Sequence, residues 1–242
     1  MTCLMWFRDD LRLHDNQALC RAAEAASLGD APLVAVVLDE PAYPGTRPLG
    51  GATTWWRERS LYALAHDLAD HGVELIRAAG DARAEIPRLA AELGATTVTW
   101  TRRYHGPLRE VDSAVKEILT SREITASSSP GFTLVEPWEV TNGKGQPYKV
   151  FTPFSKVAAS QVAGDEPVGV PEMGASASIA CTVAKLLLDA EQLVVLGYAL
   201  GASRCTSLDL AAVQGHSQIS NGGVLGLARA VGHHGAVAIA VC

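Results

Sequence analysis

The sequence predicts an α/β fold over its first 160 residues: a Rossmann-like, doubly wound sheet of five parallel strands with helices on both faces. Two observations predict this fold. Short apolar or β-branched runs alternate with longer stretches whose apolar residues recur at helical spacing. The runs at residues 3–7 and 33–38 are apolar throughout, which is typical of parallel strands that are buried on both faces. Strands and helices that alternate in this way form βαβ units, and these units build a parallel sheet.

The strands are expected to be short, and each helix has a recognisable beginning or end. The strands are predicted at residues 3–7, 33–38, 73–76 and 96–100, with a weaker fifth strand near Ile124. The helices are predicted at residues 16–26, 53–70, 82–93 and 107–119. Asp15 stands where the N-cap of the first helix belongs, and Gly72 closes the second. Trp55 and Trp56 begin the second helix, and one of them is expected to pack on the sheet.

A candidate site lies in two loops that are rich in charged residues. Ligands of parallel sheets bind beyond the carboxyl ends of the strands, where the strand order reverses. The loop at residues 8–16 reads RDDLRLHDN, and the loop at residues 101–105 reads TRRYH. Arg8 and Arg103 could face a flat or anionic ligand, and Tyr104 could stack on a ring. The alternative is that these arginines and aspartates pair with each other and cap the helices that follow.

Composition excludes several classes of protein. The net charge of −6 excludes a chain whose main task is to wrap nucleic acid with a basic surface. We find no apolar run of membrane-spanning length and no signal peptide. The five cysteines form no CxxC pair, so the sequence signals neither a disulfide framework nor a zinc site and favours the cytoplasm. No GxGxxG, Walker A, GxSxG or HExxH motif is present.

Residues 161–242 differ in composition from the residues before them. Only 9 of these 82 residues are charged, and Tyr198 is the only aromatic residue among them. A helix is possible at residues 185–200. His216, His233, His234 and Cys242 have a spacing that fits no familiar metal site. We therefore expect this segment to be an atypical, poorly defined tail.

Several separated motifs in the first 157 residues resemble the DNA photolyase/cryptochrome family. The opening MWFRDDLRLHDNQAL resembles the first strand and loop of that family, and GGATTWWRERSLYAL resembles its second-helix motif. The stretch GVELIRAAGDARAEIPRLAAELGATTVTWTRRY matches its third strand through its fourth strand. NGKGQPYKVFTPFSK resembles the segment that leaves the α/β domain for a helical one.

The resemblance implies a light-harvesting domain. Residues 1–135 would be the α/β antenna domain of a deoxyribodipyrimidine photolyase, and residues 136–160 would begin the connection to a second domain. In this family the α/β domain holds a folate, a deazaflavin or a flavin, and passes excitation to FAD in a helical domain that binds UV-damaged DNA. For the antenna chromophore the resemblance points to Arg8, Asp10, Leu11 and Arg103. It implies no catalytic residue and no metal in this chain, which we expect to be a cytoplasmic monomer.

The chain departs from the family pattern at two places. Leu108 stands near the position where folate-binding members use an acidic side chain, so the type of chromophore stays open. Residues 161–242 show no FAD-binding helix pattern and carry only three basic residues. A reading frame lost between about residues 158 and 175 would explain this composition, and a natural short two-part protein of unknown type is the alternative. The chain alone is then expected to lack the FAD and DNA domain, and the alternatives are a fragment of a cryptochrome photoreceptor or an inactive truncated product.

Overall fold

Helices and strands alternate through residues 2–129. In this computed structural model residues 1–162 and 166–174 are described, together with the backbone of three later strands. The first five strands are β1 Thr2–Phe7, β2 Leu33–Asp39, β3 Leu75–Ala79, β4 Ala95–Thr101 and β5 Thr125–Ser129. The helices are α1 Gln17–Leu28, α2 Gly51–Asp70, α3 Ala82–Glu92, α4 Gly106–Ser121 and α5 Phe151–Gln161. The later strands are β6 Val194–Leu196, β7 Ala228–Val231 and β8 Val237–Ala240.

The sheet has the predicted doubly wound topology. Five strands pair in parallel in the order β5-β4-β1-β2-β3, and β6 adds an antiparallel strand beside β3. Strands β7 and β8 form a separate antiparallel pair. The strand β6 contradicts the helix expected at residues 185–200, and the rest of that range lies outside the described residues. The possible metal ligands of the tail also lie outside them.

Each face of the sheet is covered by two helices. One buried cluster, the α3/α4-side cluster, contains alternate residues of β1 such as Leu4 and Trp6. The other, the α1/α2-side cluster, contains the intervening residues Cys3, Met5 and Phe7. Every residue of β1 is buried, because helices cover both of its faces.

One helix start and one strand start differ from the prediction for reasons of local chemistry. Asn16, and not Asp15, is the N-cap of α1, because the Asn16 side chain accepts a hydrogen bond of 3.0 Å from the amide of Leu19. Helix α2 ends in a Schellman motif in which Gly72, at φ 72°, follows the C-cap. The amide of Val73 donates to the carbonyl of Leu68 in that motif. Val73 is therefore part of the helix end, and β3 begins two residues later than predicted.

The expectation that Trp55 or Trp56 packs on the sheet is wrong. Their exposed fractions are 54% and 68%. The buried residues of α2 begin only at Leu61, so its first half extends beyond the sheet. The guanidinium of Arg59 lies 3.8 Å from the ring centre of Trp55 and covers part of that ring.

Residues 166–174 lie against the α/β domain. The amide of Asp15 donates to the carbonyl of Val168 at 2.8 Å. Met173 is 8% exposed and belongs to the α1/α2-side cluster. In contrast, no residue of α5 is buried. The chain thus contacts the domain again after an exposed helix.

Candidate functional site

The carboxyl ends of β1 and β4 form the point where the strand order reverses. The crossover from β1 leads to β2 on one side of β1, whereas β4 and β5 lie on its other side. The loops at residues 8–16 and 101–105 both start from this point. The sheet topology therefore brings together the two loops in which the sequence places the candidate site.

Arg8 is held on four sides at the end of β1. Its side chain is 3% exposed, and its Nη1 lies 2.7 Å from Oδ1 of Asp112 on α4. Its Nη2 donates to the backbone carbonyl of Thr101 at the end of β4. The guanidinium lies 4.6 Å from the ring centre of Trp6, and the backbone amide donates to Asp10. Arg8 thus ties β1, β4 and α4 together.

Arg103 shares the carboxylate of Asp112 with Arg8. Its Nη2 lies 2.7 Å from Oδ1 of Asp112, and its Nη1 lies 2.8 Å from Oε1 of Glu40. Burial, and next the nearby Arg103 charge, lower the pKa of Arg8. Burial acts on Arg103 in the same direction, but Glu40 and Asp112 outweigh it and raise the pKa of Arg103. Both arginines are charged at neutral pH, so two guanidiniums and two carboxylates balance here.

Asp10 and Leu11, the other two predicted binding residues, lie outside the ion-pair cluster that Arg8 and Arg103 form. Asp10 is 2% exposed and accepts hydrogen bonds from the hydroxyl of Thr101 and the side-chain amide of Asn16. It therefore fixes the loop after β1 against β4. Leu11 packs on the α1/α2-side cluster, whereas Arg8 and Arg103 contact Trp6 of the α3/α4-side cluster. The structure brings Arg8 and Arg103 together, and Leu11 lies on the other face of the sheet.

Tyr104 lies beside residues of its own chain. Its hydroxyl is 3.0 Å from both carboxylate oxygens of Glu136, which also accepts a hydrogen bond from Arg102. The rings of Tyr104 and Trp138 are 6.2 Å apart at an angle of 32°. The guanidinium of Arg102 lies 5.2 Å from the ring centre of Trp138. These contacts, like those of Arg8 and Arg103, match the alternative in which charged residues at strand ends pair with each other.

Four buried polar atoms at this site have no hydrogen-bond partner among the described residues. They are Nε1 of Trp6, Nε1 of Trp100, Nε of Arg8 and Oδ2 of Asp112. The two tryptophan rings are 5.9 Å apart, and Arg8 lies against one of them. Buried donors and acceptors in native proteins are almost always satisfied, by protein, water or ligand. All four atoms are closed off from solvent, so a water or ligand reaches them only when the surrounding side chains move.

Sequence reasoning missed the acidic residues that complete the site. Asp112 lies one residue after Val111 on α4, in a stretch that looks like an ordinary amphipathic helix. Glu40 directly follows β2, and its place after a buried strand was a usable signal. Glu136 lies in a loop and has no sequence signal. The contacts of these acidic residues depend on how α4 packs on the sheet and on the path that the loops follow. No local sequence pattern encodes either.

A second ion-pair network lies at the ends of β2 and β3. Asp39 pairs with Arg57 of α2 and with Arg77 of β3. Arg77 also donates to both carboxylate oxygens of Glu58, at 2.7 and 2.5 Å. The hydrogen bonds from Arg77 hold the pKa of Glu58 below its usual value. This network attaches the first half of α2 to the edge of the sheet.

The Glu58→Gln variant is expected to lose less stability in acid than the wild type. The folded-state pKa of Glu58 is lowered, so its contribution is present above the unfolded-state pKa of about 4.3 and disappears as the pH falls through the folded value. Urea unfolding at pH values from about 7 to 3 measures the effect as a shallower decline. Glu117→Gln, a change at an exposed carboxylate of α4, is the control. Equal slopes for wild type and Glu58→Gln would contradict the prediction.

The described residues contain neither a metal-binding cluster nor a membrane-spanning helix. No group of three or more His, Cys, Asp or Glu side chains within residues 1–162 and 166–174 is arranged to hold a metal ion. In the same part of the chain, no helix has the length and apolar character needed to cross a membrane.

Comparison with known proteins identifies the family. The family model described as DNA photolyase matches residues 3–172, which is more than half of the chain. The chain belongs to this family. The photolyase/cryptochrome resemblance of the sequence motifs is thereby confirmed, and so is the Rossmann-like α/β fold. The matched range also includes residues 166–172, in which Val168 accepts a hydrogen bond from Asp15 in the loop before α1.

This chain is similar to only a part of each of its individual relatives in the photolyase family. A deoxyribodipyrimidine photo-lyase of Agrobacterium fabrum is 40% identical over 151 residues, covering 62% of this chain and 30% of that protein. Cryptochrome-1 of Arabidopsis thaliana is 33% identical over 153 residues, covering 62% of this chain and 22% of that protein. The crystal structure of a class III photolyase from Agrobacterium tumefaciens superposes with a TM-score of 0.63 at 36% identity, covering 72% of this chain and 35% of that one. The chain thus spans about a third or less of these relatives.

Proposed function

We propose that this chain is the light-harvesting α/β part of a photolyase that repairs cyclobutane pyrimidine dimers. In this proposal residues 1–135 hold an antenna chromophore and pass its excitation to FAD in a helical part. The observation that carries the proposal is the match to the photolyase family over residues 3–172. The position of Arg8 and Arg103 at the reversal of strand order supports it, because ligands of such sheets bind there.

The chemistry of the site fits the polar edge of a ring system. Folates, deazaflavins and flavins carry ring nitrogens and carbonyl groups that accept or donate hydrogen bonds. The unpartnered N–H groups of Trp6, Trp100 and Arg8 and the unpartnered oxygen of Asp112 would meet such an edge once the side chains that cover them move aside. A phosphate fits less well, because Asp112 and Glu40 already neutralise both guanidiniums. Leu108 packs against the α3/α4-side cluster and offers no carboxylate, so the chromophore type stays open.

The residues of this chain would bind and shield the chromophore. The chromophore supplies the absorption of light when it is bound. Arg8 and Arg103 would orient its polar edge, and Asp10 would hold the loop that carries Arg8. Leu11 would support that loop from the other face of the sheet, through the α1/α2-side cluster. Burial of these residues would exclude water. We assign no catalytic residue to the chain.

Absorption spectroscopy of the purified 242-residue protein tests the proposal. We expect a near-UV or visible band, either as purified or after addition of a methenyl-folate, a deazaflavin, FMN or FAD. Trp6→Phe removes one unpartnered N–H, and we expect it to weaken chromophore binding about threefold to tenfold. Trp56→Phe, at an exposed position, is the matched control. A folded protein that stays colourless with all four chromophores would refute the proposal.

Repair of DNA is expected to require more than this chain. The FAD and the contacts to damaged DNA belong, in this proposal, to the portion of the relatives outside the match. The 242-residue protein with added FAD is expected to show no light-dependent loss of cyclobutane dimers. Residues 136–160 would begin the connection to the helical part, and a monomeric, cytoplasmic protein remains our expectation.

A cryptochrome photoreceptor is the second candidate, and the similarity to Cryptochrome-1 favours it. To discriminate a photolyase from a cryptochrome, residues 1–160 are joined to the helical part of a relative and the quantum yield of dimer repair is measured. Only a photolyase half would support repair with an increased quantum yield. Sequencing the gene beyond codon 157 tests the third possibility, a shifted reading frame. A restored helical domain rich in Arg and Trp in another frame would identify a truncated product.

A further inference from the structure

We propose that the side chain of Arg103 is a gate over the candidate site and that Glu40 holds this gate closed. This inference rests on the proposed function and deepens it, because it names the way by which a chromophore reaches the buried N–H groups of Trp6 and Arg8. The gate consists of one side chain that moves, Arg103, and of the two carboxylates that bind it, Glu40 and Asp112.

The charged side chains of the site lie at different depths. Arg8 is the deepest, with 3% of its side chain exposed, and Arg103 follows with 8%. The side chains of Asp112 and Glu40 are 12% and 14% exposed and are therefore the outermost. The guanidinium of Arg103 lies 5.7 Å from the ring centre of Trp6. Arg103 and its two carboxylates thus lie between solvent and that ring.

Arg103 is held by carboxylates alone, unlike Arg8. Its guanidinium donates to Glu40 at 2.8 and 3.3 Å and to Asp112 at 2.7 and 3.3 Å. Within residues 1–162 and 166–174, no backbone carbonyl accepts a hydrogen bond from this side chain. Arg8, in contrast, also donates to the carbonyl of Thr101. Arg103 therefore moves when a carboxylate releases it, whereas Arg8 stays in place.

The backbone on both sides of Arg103 is fixed, so the motion is confined to its side chain. The amide of Arg102 donates to the carbonyl of Ser129, and its guanidinium donates to Glu136. The hydroxyl of Tyr104 also lies within hydrogen-bond distance of Glu136. A change of the Arg103 rotamer therefore opens the site while the loop after β4 stays in place.

Glu40 is the carboxylate that releases Arg103. Asp112 lies on α4 and also binds Arg8, so it is held at two points. Glu40 lies in the loop at residues 40–50, which contains neither helix nor strand. Connecting loops are more mobile than the helices and strands that they join. The contact between Arg103 and Glu40 is therefore the one that opens first.

The charges of the site explain why the gate needs Glu40. Arg8 and Arg103 both bind Oδ1 of Asp112, so their positive charges lie side by side in a buried place. Like charges repel there, and a second carboxylate is needed to balance them. Without the charge of Glu40, the outward position of Arg103 becomes more favourable. A chromophore binds only to the open state, so the open fraction limits its apparent affinity.

Exchange of the indole N–H hydrogens with solvent deuterium tests the gate. Proton–nitrogen NMR spectra of the 242-residue chain, without added chromophore, follow the loss of each indole signal. The variants Trp6→Phe and Trp100→Phe assign the signals of the two buried indoles. Glu40→Gln keeps the shape of the side chain and removes its charge. We expect it to accelerate exchange of the Trp6 indole at least about fivefold, because a neutral acceptor holds a guanidinium less strongly.

Two controls separate opening of the gate from a general loss of stability. Glu136 is 13% exposed, close to the 14% of Glu40, and binds Arg102 at the same edge of the sheet. In Glu136→Gln we expect exchange of the Trp6 indole to stay within about twofold of the wild type, because Arg103 keeps both of its carboxylates. The backbone amide of Met5, inside β1, is the second control. Glu40→Gln should accelerate its exchange less than that of the indole, since this amide exchanges when the sheet unfolds.

A double variant tests whether Glu40 acts through Arg103. Arg103→Gln shortens the side chain that forms the gate, so we expect faster exchange of the Trp6 indole. In that background Glu40→Gln should add less than about twofold, because the two residues act as one unit. Additive effects of the two substitutions would contradict the gate.

The single variants give further outcomes that would overturn the proposal. They are unchanged exchange of the Trp6 indole in Glu40→Gln, equal acceleration of the Met5 amide, and equal acceleration by Glu136→Gln. If Glu40→Gln does not fold, Arg103→Gln decides, and unchanged exchange in that variant would refute the gate. No chromophore takes part in the measurement, so a failure here leaves the proposed function standing.

Discussion

The Asp112→Ala variant is expected to lose about 3 kcal/mol of unfolding free energy. Asp112 is the carboxylate that Arg8 and Arg103 share, and all three side chains are nearly buried. Removal of one partner from a buried ion pair typically costs 3–5 kcal/mol, because a charge stays buried without compensation. The lower end applies, since Glu40 still faces Arg103. Urea unfolding followed by circular dichroism measures the loss.

Two further variants separate charge from helix effects in this prediction. Asp112→Asn keeps the size and one oxygen of the side chain and removes the charge, so we expect a loss between those of wild type and Asp112→Ala. Glu117→Ala changes an exposed carboxylate on the same helix and should stay within about 0.5 kcal/mol of the wild type. A loss at Asp112→Ala no larger than at Glu117→Ala would show that the shared carboxylate does not stabilise the site.

The Trp100→Ala variant is expected to lose about 3–5 kcal/mol, the largest effect of any single substitution considered for this chain. Trp100 is 1% exposed and lies in the α3/α4-side cluster beside Trp6. Its removal leaves a cavity beneath the candidate site, because the surrounding strands and helices relax only in part. Denaturant unfolding measures the loss, and Trp100→Phe provides a milder variant that keeps an aromatic ring.

Trp56→Ala is the matched control for the core tryptophan. The side chain of Trp56 is 68% exposed, so its removal should change the unfolding free energy by no more than about 0.5 kcal/mol. Equal losses at Trp56 and Trp100 would contradict the assignment of one tryptophan to the core and the other to the surface.

The sheet was predictable because its signals are local and strong. The apolar runs of β1 and β2 reach full burial, as predicted from their composition. The first and last residues of helices and strands were predictable only where a single local rule applied. Asn16 displaced Asp15 as the N-cap because both residues suit the role and only the course of the loop chooses between them. The sequence predicts Val73 as a strand residue because its apolar side chain does not reveal that its amide closes α2.

The candidate site was predictable in location but not in its contacts. The rule of strand-order reversal places Arg8 and Arg103 at one point from sequence alone. Their counterions come from α4 and from the end of β2, so the pairing depends on how helices pack. The same limit explains the error at Trp55 and Trp56. Helical periodicity predicts which residues share a face, but it does not predict how far α2 extends beyond the sheet.

The central position of β1 has a consequence for the order of folding. β1 is the first strand of the described fold to be synthesised, yet one of its two partners is β4, and the hydrogen bond from Arg8 to Thr101 joins residues 93 positions apart. Pairing between such distant segments is slow, because the entropy of closing the loop opposes it before any contact compensates. Until β4 arrives, β1 is an apolar strand with one open edge, which favours aggregation. The strand that begins the domain is thus enclosed late, and the site at its end forms with that final step.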